Sequence, residues 1–248
     1  MHSDAISLGI ATLGLLVAGV IKGATGLGYA SCALPFLAMV MGLKQAIALV
    51  MLPALASNFL IICITPHRVE TLRRFWPLYL AAIPGIFAGI YLLVWFGPKI
   101  PTMSLGILII VYAAYSIVRP SLSVPKKLVS PLQVPVGLLN GFFTGLTGSQ
   151  VLPFLPYILG LNLDPDRTTQ AINLAITIWS GVMLIALYQS GVASTGSLFA
   201  SVLALGPALL GIYLGSMLRS KIPAQHYRLI VQVVLGFLGA SLVAKQLY

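Results

Sequence analysis

Charges and Gly/Pro punctuation cut this chain into apolar blocks, and the blocks come in two sets of five. In the first half they run at about 5–21, 29–43, 45–65, 75–96 and 101–119; in the second at about 132–146, 150–161, 168–189, 196–218 and 226–244. A spanning helix needs about 20 apolar residues. The pattern therefore predicts an all-α polytopic membrane protein of about eight to ten transmembrane or re-entrant helices. The single polar stretch with the look of a linker is Arg119-Pro-Ser-Leu-Ser-Val-Pro-Lys126-Lys127. It divides the chain into an N-terminal repeat, 1–119, a cytoplasmic linker, 120–131, and a C-terminal repeat, 132–248.

Composition agrees. Of 248 residues 59% are hydrophobic and 7% charged, with a mean hydropathy of +1.02, where soluble domains carry about 25% charged residues. The surroundings to expect are a lipid bilayer, and neither a soluble enzyme nor a nucleic-acid partner. The excess of 14 Lys+Arg over 4 Asp+Glu is read as a topology signal. Cys32 and Cys63 lie in apolar blocks, and His2, His67 and His226 are far apart. That pattern offers no disulfide framework, no metal site and no cofactor motif. Met1-His-Ser-Asp4 runs into the first block without the basic region or cleavage pattern of a signal peptide.

The halves repeat each other. Gly19-x3-Gly23-x-Thr25-Gly26 returns 122 residues later as Gly141-x3-Gly145-x-Thr147-Gly148, each copy followed by Pro-Phe-Leu, at Pro35 and Pro153. Gln45-Ala-Ile-x-Leu49 pairs with Gln170-Ala-Ile-x-Leu174, and Gly89-Ile-Tyr91 with Gly211-Ile-Tyr213, with Lys-Ile-Pro downstream at Lys99 and Lys221. Four matches in one order imply a duplication. With five crossings or half-crossings per half, ten cations fall inside: Arg68, Arg73, Arg74, Arg119, Lys126, Lys127, Arg167, Arg219, Lys221 and Arg228. Lys44, Lys99 and Lys245 fall outside. That asymmetry favours inverted-topology repeats in the cell inner (plasma) membrane with both termini outside. The first two blocks of each half are either full spans or a re-entrant hairpin.

The glycine motifs are where broken helices are expected, because irregular backbone at membrane depth is tolerated only against protein or a cavity. A helix starting after each motif would aim free N–H groups inward, an arrangement that binds anions. The alternative is that the glycines only let helices pack closely. Substrate-binding candidates are Lys22, Gly23, Thr25 and Gly26 in the first copy and Gly145, Thr147, Gly148, Ser149 and Gln150 in the second. Asn58, Asn173 and Thr177 come from the third blocks; such polar groups serve as ligands or as interhelical hydrogen bonds. Lys22 is either an intramembrane cation, functional by default, or an ordinary positive-inside residue. The acidic residues Asp4, Glu70, Asp164 and Asp166 all fall in predicted loops or termini, which argues against a cation path. Trp76, Trp95, Tyr115 and Tyr248 read as interfacial belt residues, and Trp179 as packing or cavity lining.

The motifs resemble those of the sulfite exporter TauE/SafE family. Lys22-Gly-Ala-Thr-Gly-Leu-Gly-Tyr-Ala-Ser-Cys-Ala-Leu-Pro35 is similar to the family's glycine-rich stretch, and Gly145-Leu-Thr-Gly-Ser-Gln-Val-Leu-Pro153 to its second copy. Where many members have three adjacent glycines, this chain has Gly26-Leu-Gly28 and Gly148-Ser-Gln150. The resemblance implies secondary export, without ATP, of small anions such as sulfite or organosulfonates including sulfoacetate. The residues converge on the same partner, a small anionic substrate, since oxygen acceptors need N–H, hydroxyl and carboxamide donors. A passive anion channel, or an importer of a small organic anion, shares every one of these features. An enzyme is not expected, for want of a His cluster, paired carboxylates or a Cys with a base at depth. The assembly state stays open, a homodimer among the options.

Overall fold

In lipid a chain can satisfy its backbone only as helices or as a closed barrel, and this one takes helices. The computed structural model describes residues 2–25, 28–118, 123–218 and 224–247. The side chains of 2–8, 25 and 224–230 are not described, so Gly26, the Thr25 side chain, Arg119, Arg219, Lys221, the Arg228 side chain and Tyr248 lie outside the described residues. First come α1 (His2–Thr25), α2 (Tyr29–Met41), α3 (Leu43–Ile64), α4 (Arg68–Trp95), α5 (Lys99–Val118) and a one-turn α6 (Lys126–Val129). Then follow α7 (Gln133–Thr147), α8 (Phe154–Gly160), α9 (Pro165–Gln189), α10 (Thr195–Leu203), α11 (Leu205–Leu218) and α12 (Ala224–Leu247). Leu43–Ile64, Arg68–Trp95, Lys99–Val118, Pro165–Gln189 and Thr195–Leu218 are long and apolar enough to cross a membrane.

Each of the ten apolar blocks is helical, with three adjustments. Helix α4 starts at Arg68, seven residues before its apolar block, with Glu70 in its first turn, where a carboxylate suits the helix dipole. The block 196–218 breaks at Ala204 into α10 and α11. Pro207, three residues on, has no N–H to offer the carbonyl a turn behind it. In block 150–161 only Phe154–Gly160 is helical. Seven residues rise about 10 Å, a third of a bilayer core, so α8 is too short to cross one.

Glycine decides which helices touch. α4 lies along α7 in the same direction: a Cβ on Gly85 would sit 2.3 Å from the Leu138 carbonyl oxygen, and one on Gly145 2.1 Å from that of Ile86. α1 and α11 form the same kind of parallel pair, with 2.4 Å from Gly19 to the Ala208 oxygen and 2.1 Å from Gly215 to that of Val20. Gly106 and Gly239 bring α5 against α12. Small residues at such contacts let backbones approach where lipid supplies no hydrophobic drive between helices. Between these pairs lie α2, α3, α8 and α9, whose Leu34, Ile47, Phe154, Ala171 and Trp179 are fully buried. Leu60, Tyr91, Trp95 and Phe237 remain exposed, an apolar outer surface that suits lipid.

Candidate functional site

Gly28, at φ +82°, holds the left-handed conformation that glycine adopts without strain, and α2 starts on the next residue with no side chain capping it. Its first-turn residues Tyr29, Ala30 and Ser31 line a small chamber completed by Asn58 of α3, Gln150 and Val151 of the α7–α8 connection, and Ile172 and Ile176 of α9. The chamber holds about 20 Å³, room for one water.

Beside it, Lys22 of the last turn of α1 is 2% exposed. Its Nζ donates to Asn58 Oδ1 at 2.5 Å. Asn58 Nδ2 donates to the Ala54 carbonyl at 2.6 Å, which fixes the amide with its oxygen toward the lysine. Among the described residues Lys22 is the one buried charge. A buried charge is normally paired with its opposite, and here the partner is a neutral amide.

Gln150, 3% exposed, donates through Nε2 to Ser180 Oγ of α9 at 3.1 Å, while its Oε1 has no partner. The Tyr29 hydroxyl is likewise buried and unpartnered. Lys22, Asn58 and Gln150 thus converge on one place, joined by Tyr29 and Ser31, which the sequence reading did not single out. Their signal was position, since both sit in the first turn after the glycine run.

The other candidates lie apart from the chamber. Gly23 meets the backbone of Ile212 and Ser216, and Gly145 that of Ile86 and Ile90, so both are packing glycines. Gly148, at φ +75°, ends α7 by donating its N–H to the Thr144 carbonyl at 2.7 Å. Thr147 Oγ1 donates to the Phe143 carbonyl at 2.7 Å and accepts from the Ser149 N–H at 3.2 Å. Asn173 Nδ2 donates to the Thr169 carbonyl at 2.8 Å, leaving Oδ1 unpartnered, and Thr177 Oγ1 is buried without a partner. Trp179 packs edge-on against Phe154, centroids 4.7 Å apart, and donates to the Tyr79 carbonyl at 3.2 Å; it is packing.

An anion-facing helix start was expected after both motifs, and the second copy departs from this. Helix α8 begins six residues after Gly148, its N-cap Pro153 has no N–H, and the Phe154 N–H donates to Asn140 Oδ1 at 3.4 Å. Asn140 is fully buried, and its amide oxygen takes up that N–H from within the protein.

At the starts of α4 and α9, Arg167 bonds Glu70 at 2.9 Å and Asp164 at 2.6 Å, and His67 Nδ1 lies 3.2 Å from Glu70. Hydrogen bonds from the Arg167 guanidinium hold the Asp164 carboxyl below its ordinary range. Among the described residues no group of three His, Cys, Asp or Glu could hold a metal.

Comparison with curated proteins and with solved structures gives no match. A chain of apolar helices, five of them long enough to cross a membrane, agrees with what a family comparison finds. The model of the sulfite exporter TauE/SafE family matches residues 11–242, nearly the whole chain, and this polytopic membrane protein belongs to that family of transporters.

Proposed function

We propose that the protein is a secondary transporter that exports a small sulfur oxyanion, sulfite or an organosulfonate such as sulfoacetate, by alternating access around the chamber at Lys22, Asn58 and Gln150. The observation that carries this reading is the buried Lys22 ammonium, whose hydrogen-bond partner among the described residues is the neutral amide of Asn58. An anion in the chamber would supply the missing charge, and its oxygens would accept from the ammonium, the first-turn N–H groups of α2 and the Tyr29 hydroxyl. A chamber with room for one water admits no sulfonate until helices part, which favours a carrier over an open pore.

Inverted repeats, 1–119 and 132–248 about a linker at 120–131, are part of the proposal. What supports them is that exchanging the halves turns the α4·α7 pair into the α11·α1 pair, both parallel and glycine-lined. The Glu70–Arg167 contact supports placing the starts of α4 and α9 on one face, and the cation asymmetry supports making that face cytoplasmic, with both termini outside the plasma membrane.

The test is thermal stabilisation of the purified protein by sulfite, sulfoacetate, taurine, sulfate and a carboxylate control, repeated on Lys22→Met, Gln150→Ala and Asn173→Ala. A ligand that binds the folded state raises its Tm by mass action. One sulfur oxyanion should stabilise the wild type and lose that effect in Lys22→Met and Gln150→Ala. If no oxyanion stabilises the wild type, or all do so equally in these variants, the chamber is not the substrate site. Saturable counterflow in proteoliposomes separates carrier from channel.

A further inference from the structure

Gln170 is 0% exposed and neither its Nε2 nor its Oε1 has a partner. The side chains that follow it at spacings of three and four are Asn173, with Oδ1 unpartnered, and Thr177, with Oγ1 unpartnered. Ser180, three further on, receives Gln150. These spacings place all four on one face of α9. Four of the eight buried, unpartnered side-chain polar atoms among the described residues lie on this one face. Burying such atoms unpaired is costly, so a row of them calls for a ligand in another conformation. The row runs about 15 Å, from near the start of α9, where Arg167 bonds Asp164 and Glu70 and so meets the end of α4 that carries Arg68, Arg73 and Arg74 in its first two turns, to Ser180 and its partner Gln150 in the chamber wall.

The motif-equivalent glutamine is placed oppositely. Gln45 is exposed and lines a crevice of about 600 Å³ between α1, α3, α10 and α11. One glutamine of the pair faces open space and the other is sealed.

We propose that Gln170, Asn173 and Thr177 form a second oxyanion station, the closed counterpart of the Gln45 crevice, through which the anion passes between the arginine-rich face and the chamber. The row offers both donors and acceptors, which fits an oxyanion still carrying water, whereas the Lys22 chamber fits the bare charge. This rests on the transport reading above and adds a route and its residues.

The experiment uses the full chain in proteoliposomes loaded with sulfite. Gln170→Leu and Thr177→Val should each lower sulfite counterflow at least tenfold while the sulfite-dependent rise in Tm persists, because the chamber is untouched. Thr177→Val, nearly isosteric, decides the matter if Gln170→Leu does not fold. In a Cys32→Ala/Cys63→Ala background, a Gln170→Cys thiol should react with an impermeant anionic methanethiosulfonate from the arginine-rich face, and sulfite should change the rate. Counterflow within twofold of wild type in the folded variants overturns the station, as does a thiol that never reacts. A wild type that moves no oxyanion is a different failure, and sinks the transport reading itself.

Discussion

Lys22 Nζ donates to Asn58 Oδ1 across 2.5 Å, tying the end of α1 to the middle of α3 with no carboxylate at hand. The pair joins a basic side chain to a neutral one, so it is a structural joint built on the one charged side chain that is buried among the described residues.

Removing the two partners should therefore have unequal effects. Asn58→Leu strands a buried ammonium and should cost about 3–5 kcal/mol, whereas Lys22→Met forfeits one hydrogen bond, about 1–3 kcal/mol. The double variant should recover most of the loss while sulfite counterflow stays absent. A double-mutant cycle on thermal unfolding in detergent reads the first and proteoliposome flux the second; additive effects on stability would show that the two side chains do not depend on each other.

Gly145→Ala places a methyl 2.1 Å from the Ile86 carbonyl oxygen and should destabilise the protein by about 1–3 kcal/mol. Gly9→Ala, with nothing within 4 Å, should stabilise by about 0.5–1 kcal/mol, since alanine is the better helix former. Unfolding midpoints that move together would refute the packing role given to the first glycine.

Trp179→Ala should cost about 3–5 kcal/mol by opening a cavity beside Phe154 and Tyr79. Its sulfite-dependent Tm shift should survive, because the indole belongs to packing. Loss of that shift in a folded variant would place Trp179 at the site.

The Asp164–Arg167–Glu70 bridge has a pH signature. A carboxyl held below its ordinary range stabilises the fold above the unfolded-state pKa, about 4 for Asp, and loses that contribution as pH falls through the folded value. The Tm difference between wild type and Asp164→Asn should thus be present at neutral pH and shrink below about pH 4. A difference that is constant with pH would mean the ion pair contributes nothing, the usual fate of exposed pairs.

The fold was legible because lipid imposes one rule throughout, that backbone polar groups be paired within the protein, and every one of the ten blocks carries a helix, though 150–161 only over Phe154–Gly160. Block boundaries were less so where interfacial polar turns extend a helix, as at Arg68, or where a proline interrupts one, as before Pro207. Of the candidate site, Lys22, Asn58 and Gln150 stood out in the sequence because charge and carboxamide in apolar sequence need a reason to be there, and the structure brings these three together. Gly23, Gly145 and Thr147 carry the same motif but serve the backbone, since spacing alone does not distinguish a glycine that admits a helix from one that admits a ligand. Gln170 was visible as a repeated residue, and its significance lay in a burial that only the tertiary arrangement creates.

The glycine-lined pairs also change what can move. Helix α7, from the second half of the chain, is locked backbone to backbone against α4 of the first, and α1 is locked against α11. The stiff bodies of this protein are therefore composites that straddle the midpoint of the sequence. A hinge drawn between the two halves of the gene would have to open both seams, and neither half made alone would carry the surface that completes its first helix.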